Sequence, residues 1–222
     1  MRQKAVIFDM DGVLVDSEPV YIQMFQSFLE ENQCTADEAL LHKIAGASSQ
    51  RTWEIVAQMW KEEITPQNMR ALYKEARPSD QIAYGEILYP GVKDLLLWLK
   101  QQGIVTAIAS SSSEESIQRM LKETQLESLF SCYVSGKQFK KSKPDPTIYL
   151  YTLEKLGLPA EDCMVVEDSA YGIQAAKAAG LRVAAVKDTR FSFDQSAADD
   201  LIEKTGDLKE LLIGRWSLGE ST

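Results

Sequence analysis

Three aspartates, Asp9, Asp11 and Asp16, crowd the end of an apolar run in the stretch AVIFDMDGVLVDSEP, residues 5–19. Carboxylates placed there can turn the chain in water, hold a hard cation or act as a nucleophile. Lys4 to Phe8 has the composition of a short buried parallel strand. Extended residues two apart point the same way, so Asp9 and Asp11 can face one pocket. Three other polar sets follow later apolar runs: SSSSEE from Ser110, KKSKPDP from Lys140, and Glu167-Asp168 within VVEDSAYG.

Each set has an ordinary structural reading when taken alone. Asp11-Gly12 is a turn signal. Ser112 with Glu115 reads as a capping box, and Asp145 before Pro146 as an N-cap. Lys140, Lys141 and Lys143 read as a solvated basic turn. None of these readings requires a common location. Yet every set follows a strand, and open parallel sheets bind ligands beyond the carboxyl ends of their strands.

The elements that must position these groups are legible from pattern. Strands are expected at 4–8, 104–109, 132–135, 163–167 and 182–186. Helices are expected at 92–102, 113–124, 145–157 and 170–179, and such alternation makes βαβ units on a parallel sheet. From Glu18 to about Arg77 the pattern is helical instead. Tyr21, Met24, Phe25, Phe28 and Leu29 form one helix face, and further helices fit 36–45, 50–62 and 66–76. The fold class is therefore α/β, a doubly wound, Rossmann-like parallel sheet core with an inserted four-helix domain. Residues 1–16 and 89–222 form the core and 17–88 the insertion, with hinges near Ser17 and residues 78–88. The tail after Ile213 is expected to fray. Trp53, Met59 and Trp60 are read as bundle core, and Leu95, Leu96, Trp98 and Leu99 as one buried helix face.

Composition narrows the function. The 222 residues carry 33 acidic and 24 basic side chains, a net charge of −9, with no long basic block, which disfavours nucleic acid as a partner. No run approaches the ~20 apolar residues of a membrane helix, and the start does not read as a signal peptide. Cys34, Cys132 and Cys163 are widely spaced and read as reduced thiols. A monomer in the cytoplasm is expected.

Asp9, Asp168 and Glu167, with a backbone carbonyl near Asp11, could hold Mg²⁺, which prefers oxygen ligands. The absence of a Cys/His cluster and of a G-x-x-x-x-G-K-[ST] loop argues against zinc and P-loop chemistry. A carboxylate beside Mg²⁺ can attack phosphorus. Ser110 and the amides that follow it can receive phosphate oxygens, and Lys143 can neutralise the transferring group.

At these residues the chain resembles the haloacid dehalogenase superfamily. The resemblance rests on Asp9-Met-Asp11-Gly12-Val-Leu-Val-Asp16-Ser17, Ser110 after an apolar strand, Lys143-Pro144, and Glu167-Asp168-Ser169 with Gly172. It covers nearly the whole chain. The insertion looks like the small helical cap of the β-phosphoglucomutase and sugar-phosphate phosphatase branch. The resemblance implies that Asp9 forms an aspartyl-phosphate, with Asp11 as general acid and then base. It implies catalytic roles for Ser110 and Lys143 and a metal set of Asp9, Asp11, Glu167 and Asp168. Gly12, Ser17, Tyr21, Gly46, Arg51, Ser111 and Ser112 are the expected phosphate and substrate contacts. The second aspartate argues against a cation pump, which carries threonine there, and against an aliphatic dehalogenase.

The cap separates phosphatase from mutase by admitting or excluding water. Where β-phosphoglucomutase has a cap histidine, five residues after the last motif aspartate, this chain has Tyr21. Where the mutase has an arginine three residues after a glycine matching Gly46, it has Ser49, with Arg51 nearby and Arg77 further on. His42 reads as a helix-surface residue. These departures favour hydrolysis of a small phosphorylated metabolite, a sugar phosphate. The alternatives are a β-phosphoglucomutase-type phosphomutase and a non-catalytic binder of a phosphorylated ligand.

Overall fold

The computed structural model describes residues 2–77, 82–191 and 193–218. In chain order the elements are β1 (Ala5–Phe8), α1 (Glu18–Glu31), α2 (Glu38–His42), α3 (Ser49–Gln58), α4 (Pro66–Ala76), α5 (Val92–Gln101), β2 (Val105–Ser110), α6 (Glu114–Thr124), β3 (Cys132–Ser135), α7 (Thr147–Leu156), β4 (Cys163–Glu167), α8 (Ala170–Ala178), β5 (Arg182–Val186), β6 (Asp200–Ile202) and α9 (Leu208–Trp216). Two compact units result: Met1–Asp16 with Tyr84–Thr222, and Ser17–Ala83. The second crossing thus falls five residues before the expected 88/89. The short turn Tyr84–Glu86 belongs with the sheet because Tyr84 N–H donates to Glu123 Oε2 of α6 at 2.9 Å. Residues 78–81 of the expected second hinge lie outside the described residues.

The first unit is a six-stranded sheet of order β3-β2-β1-β4-β5-β6, parallel throughout. The central strand, AVIF, has no exposed residue, as a strand covered on both faces must. α7 and α8 supply Ile148, Tyr149, Ile173, Ala175 and Ala176 to a core with Ala5, Ile7, Ala107, Val165 and Val183. Leu95, Leu96, Trp98 and Leu99 of α5 are buried, as one helix face should be.

β6 and α9 were not expected. β6 has only three residues, too few to show a period. The tail does not fray at residue 213: α9 runs to Trp216, where Lys4 Nζ lies 5.1 Å from the indole centroid, and Arg215 Nη2 donates to Asp200 Oδ1 at 2.8 Å; residues 219–222 of the expected tail lie outside the described residues. Two expected caps shift by one residue. Ser113, not Ser112, caps α6, its Oγ accepting from Ser116 N–H at 3.2 Å. Pro146 takes the N-cap position of α7, while Asp145 Oδ1 accepts from Thr147 N–H at 3.1 Å.

The second unit packs α1–α4 around Phe25, Phe28, Leu29, Ile55, Val56 and Met69. Trp60 stacks on Phe28 at 5.5 Å and Trp53 meets Phe25 edge-on at 5.4 Å, so both tryptophans belong to the bundle core. α2 is shorter than the expected 36–45. Asp37 caps its start by accepting from Leu40 N–H at 2.9 Å, and the left-handed Gly46 (φ 65°) turns the chain soon after its end. Among the described residues no helix is long and apolar enough to cross a membrane.

Candidate active site

The register brings the strand ends close to level. Phe8 pairs with Ile108 on one side and Val166 on the other, so Asp9, just past β1, lies level with Ala109 and Glu167 in the last residues of β2 and β4. Asp9 N–H continues the ladder to Val166 O at 2.9 Å. Asp9, Glu167 and Asp168 offer carboxylate oxygens within 4.8 Å of one another, and all three residues are buried. The Asp11 carboxylate is not part of that group.

Among the described residues, Lys143 is the cation paired with Asp9 and Glu167. Its Nζ donates to Asp9 Oδ1 at 2.7 Å, Glu167 Oε1 at 2.6 Å and Ala109 O at 3.0 Å, which uses all three ammonium protons. Burial works against the charge, but Asp9 and Glu167 outweigh it and hold Lys143 well above the usual lysine pKa. Burial pushes the Asp9 carboxyl from 3.8 up to about 8; Lys143 pulls it back in part, while Glu167 and Asp11 push it further. Burying Asp9, Glu167 and Asp168 together beside one ammonium concentrates acidic groups at one point. An all-oxygen donor set with excess negative charge fits a hard divalent cation such as Mg²⁺.

Glu167 is committed differently from its neighbours. Oε1 also accepts from Tyr149 O–H at 2.7 Å, and Oε2 accepts from Asp168 N–H at 3.1 Å, Ser169 N–H at 3.3 Å and Ser169 O–H at 3.2 Å. Those donors, with Lys143, fill the roughly four lone-pair positions of a carboxylate. Its evident task is to anchor Lys143. Tyr149 was invisible in the sequence, because a tyrosine on a helix face reads as core. Burial, then the Glu167 charge, raises its hydroxyl well above the usual phenol pKa and keeps it a donor. Tyr149→Phe should cost about 1.5–3 kcal/mol of stability in urea unfolding, as loss of a hydrogen bond to a charged group does; no loss would mean that Glu167 does not need this donor.

Asp11, Gly12 and the serine loop complete the edge. Ser112 O–H donates to Asp11 Oδ2 at 2.7 Å, and Ser112 N–H donates to the buried Ser110 Oγ at 3.0 Å. Gly12 has φ 75°, and a Cβ there would lie 2.0 Å from Asp168 Oδ2, so the turn must be glycine for the loop to pass the carboxylate. Ser111 is exposed.

Asp16, the third aspartate of the opening stretch, does a structural job. Its oxygens take a two-pronged contact from Arg190, Nη1 to Oδ2 at 3.0 Å and Nη2 to Oδ1 at 2.9 Å, and Tyr89 O–H donates to Oδ1 at 2.9 Å. With Asp16 N–H on Ile87 O and Tyr89 N–H on Leu14 O, this ties together the two chain segments that border the insertion.

The remaining expected contacts belong to the helical unit. Ser17 is fully buried at the start of α1. Tyr21 packs against the bundle core. Gly46 N–H donates to Glu18 Oε1 at 2.9 Å. Arg51 pairs with Glu54 on its own helix at 3.1 Å, and Arg77 with Glu31 at 2.6 Å. His42 is half-exposed and lies 4.0 Å from Glu38, as a surface residue would.

Residues 6–186 match the model of the haloacid dehalogenase-like hydrolases. A phosphorylated-carbohydrates phosphatase of Thermotoga maritima is 34% identical over 180 residues, 80% of this chain and 82% of that protein. Phosphoglycolate phosphatase 1 of Pseudomonas aeruginosa is 31% identical over 197 residues, 82% of this chain and 69% of that one. A solved Thermotoga maritima structure, provisionally named β-phosphoglucomutase, is similar at TM-score 0.76 and 31% identity, covering 96% of this chain and 99% of its own.

Proposed function

Since the chain belongs to the haloacid dehalogenase-like hydrolase family, we propose that it is a Mg²⁺-dependent phosphatase that hydrolyses a small sugar phosphate through an aspartyl-phosphate on Asp9. The observation that carries this reading is Lys143 held between Asp9 and Glu167 at the strand ends, with Asp168 beside them.

In the first half-reaction a carboxylate oxygen of Asp9 bonds to phosphorus as the bond from phosphorus to the sugar oxygen breaks. Asp11 gives the leaving oxygen its proton. Ser110 and the amides after it receive phosphate oxygens, and Lys143 neutralises charge spread over them. In the second half, water attacks phosphorus, Asp11 takes its proton, and the bond to Asp9 breaks to release phosphate. Asp9 and Asp168, with the Asp11 carbonyl, would hold Mg²⁺, which supplies charge neutralisation at the phosphate, while Glu167, expected in the metal set, would act through Lys143 because its oxygens are already bonded.

Hydrolysis rather than transfer to a second sugar is favoured by Tyr21 and Ser49, where the mutase carries histidine and arginine. The phosphatase names of relatives at 34% and 31% identity support the same reading. We place the protein in a reducing compartment, the cytoplasm, a reading supported by three free cysteines.

The deciding assay combines protein, Mg²⁺ and β-glucose 1-phosphate with a trace of the 1,6-bisphosphate, and measures free phosphate and glucose 6-phosphate together. Phosphate release is expected, on this substrate or on a wider sugar-phosphate panel. Chelation should lower it by at least about 10²-fold, reversibly, since the metal lowers the barrier by several kcal/mol. Glucose 6-phosphate without matching phosphate would make the protein a mutase. Tight binding with no turnover on any panel member would make it a binder.

A further inference from the structure

The serine run 110–113 divides its tasks by position. Ser113 caps α6. Ser110 Oγ accepts the Ser112 amide at 3.0 Å. Ser112 is also held through its carbonyl, which accepts from Ser135 O–H at the end of β3 at 2.6 Å. Ser135 Oγ in turn accepts from Lys137 N–H at 3.2 Å. Ser112 is therefore fixed at both its backbone groups, and its side chain is free of the capping role expected for it. Its hydroxyl goes to Asp11 Oδ2, at 2.7 Å and 101 positions away in the chain.

We propose that Ser112 is a positioning residue that orients Asp11 for proton delivery. The proposal rests on the phosphatase reading and deepens it. The hydrogen bond holds one carboxyl oxygen of Asp11 against the Ser112 hydroxyl. The same bond fixes the plane of the carboxyl group, and a general acid works only when its proton is within hydrogen-bond reach of the oxygen that needs it. In the reaction, the phosphorus–oxygen bond of the ester breaks, the proton moves from the Asp11 carboxyl to the departing oxygen, and Asp11 is left as a carboxylate that accepts from the Ser112 hydroxyl. Ser112 itself gains and loses nothing.

This predicts a signature that general damage to the loop would not give. A sugar leaves as an alkoxide and needs the proton; p-nitrophenolate leaves without it. Ser112→Ala should lower kcat/KM on a sugar phosphate by about 10- to 100-fold and on p-nitrophenyl phosphate by less than about 3-fold. kcat/KM is the right quantity because it reports the first half-reaction alone. Ser112→Thr, which keeps the hydroxyl, should restore most of the loss on the sugar phosphate. Should Ser112→Ala fail to fold by circular dichroism, Ser112→Cys, a near isostere with a weak donor, should show the same substrate-selective loss. An equal loss on both substrates, or no loss on either, overturns the proposal. Asp11→Asn serves as reference and should show the larger form of the same selectivity. Wild-type protein inactive on every phosphate ester would overturn the phosphatase reading itself, and this proposal with it. Active wild type with an unselective Ser112 variant would overturn only the role of Ser112.

Discussion

Asp9→Asn should abolish turnover, by on the order of 10⁴-fold or more as removal of a nucleophile does, in a protein that melts no lower than wild type. The two halves of that expectation have one cause. Asp9 is buried, and burial raises its carboxyl from 3.8 to about 8. A carboxyl whose folded pKa is raised binds its proton more tightly when folded than when unfolded. Its contribution to stability is therefore fully present below the unfolded value of 3.8 and is lost progressively as pH rises to about 8. Asparagine occupies the same space, cannot ionise, and escapes that loss. In the presence of a chelator, the melting temperature of the variant should gain on wild type between pH 5 and pH 9, with little further change above. Thermal melts at those two pH values, beside a phosphate-release assay, check both halves. Retention of more than about 1% of wild-type turnover would remove Asp9 from the nucleophile's role. A melting difference independent of pH would show that Asp9 titrates at its ordinary value in the fold.

What sequence could and could not show follows from the range of the forces involved. The four polar sets at the carboxyl ends of strands were legible because strand direction and side-chain alternation are local, and the parallel topology then places the ends of β1, β2 and β4 together. The side-chain pairings within the site were not. Tyr149 reaches Glu167 across 18 positions and Arg190 reaches Asp16 across 174, and nothing in either spacing signals a contact. Glu167 and Asp168 are adjacent acids and look equivalent in the sequence. In the fold Glu167 is used up by Lys143, Tyr149 and the start of α8, while Asp168 lies against Gly12. Likewise, both Ser112 and Ser113 suit a helix start, and only the register of α6 decides which of them caps and which is released toward Asp11.

Gly172 gives the sharpest test of how rigidly that anchor is built. Replacing glycine by alanine inside a helix ordinarily stabilises by up to ~1 kcal/mol. Gly214, in α9, should behave this way, since a Cβ there meets no atom within 4 Å. At Gly172, in α8, a Cβ would lie 1.8 Å from Glu167 Oε1 and 2.0 Å from Glu167 Cδ. No exposed, flexible side chain is available to swing aside: Glu167 is fully buried and its oxygens are bonded to Lys143, Tyr149 and the chain at residues 168 and 169. Either the carboxylate shifts and Lys143 loses its second acid, or α8 lifts from β4. Both break buried charged contacts, so Gly172→Ala should destabilise by about 2–4 kcal/mol and lower turnover by at least about 10-fold, as general misplacement of a charge-neutralising group does. Urea unfolding of the Gly172→Ala and Gly214→Ala variants side by side, with phosphate release from each, separates helix propensity from the clash because the two substitutions share the first and differ in the second. If the Gly172 variant is as stable and as active as wild type, Glu167 gives way freely, and the position of Lys143 must then be set by Asp9 and the Ala109 carbonyl alone.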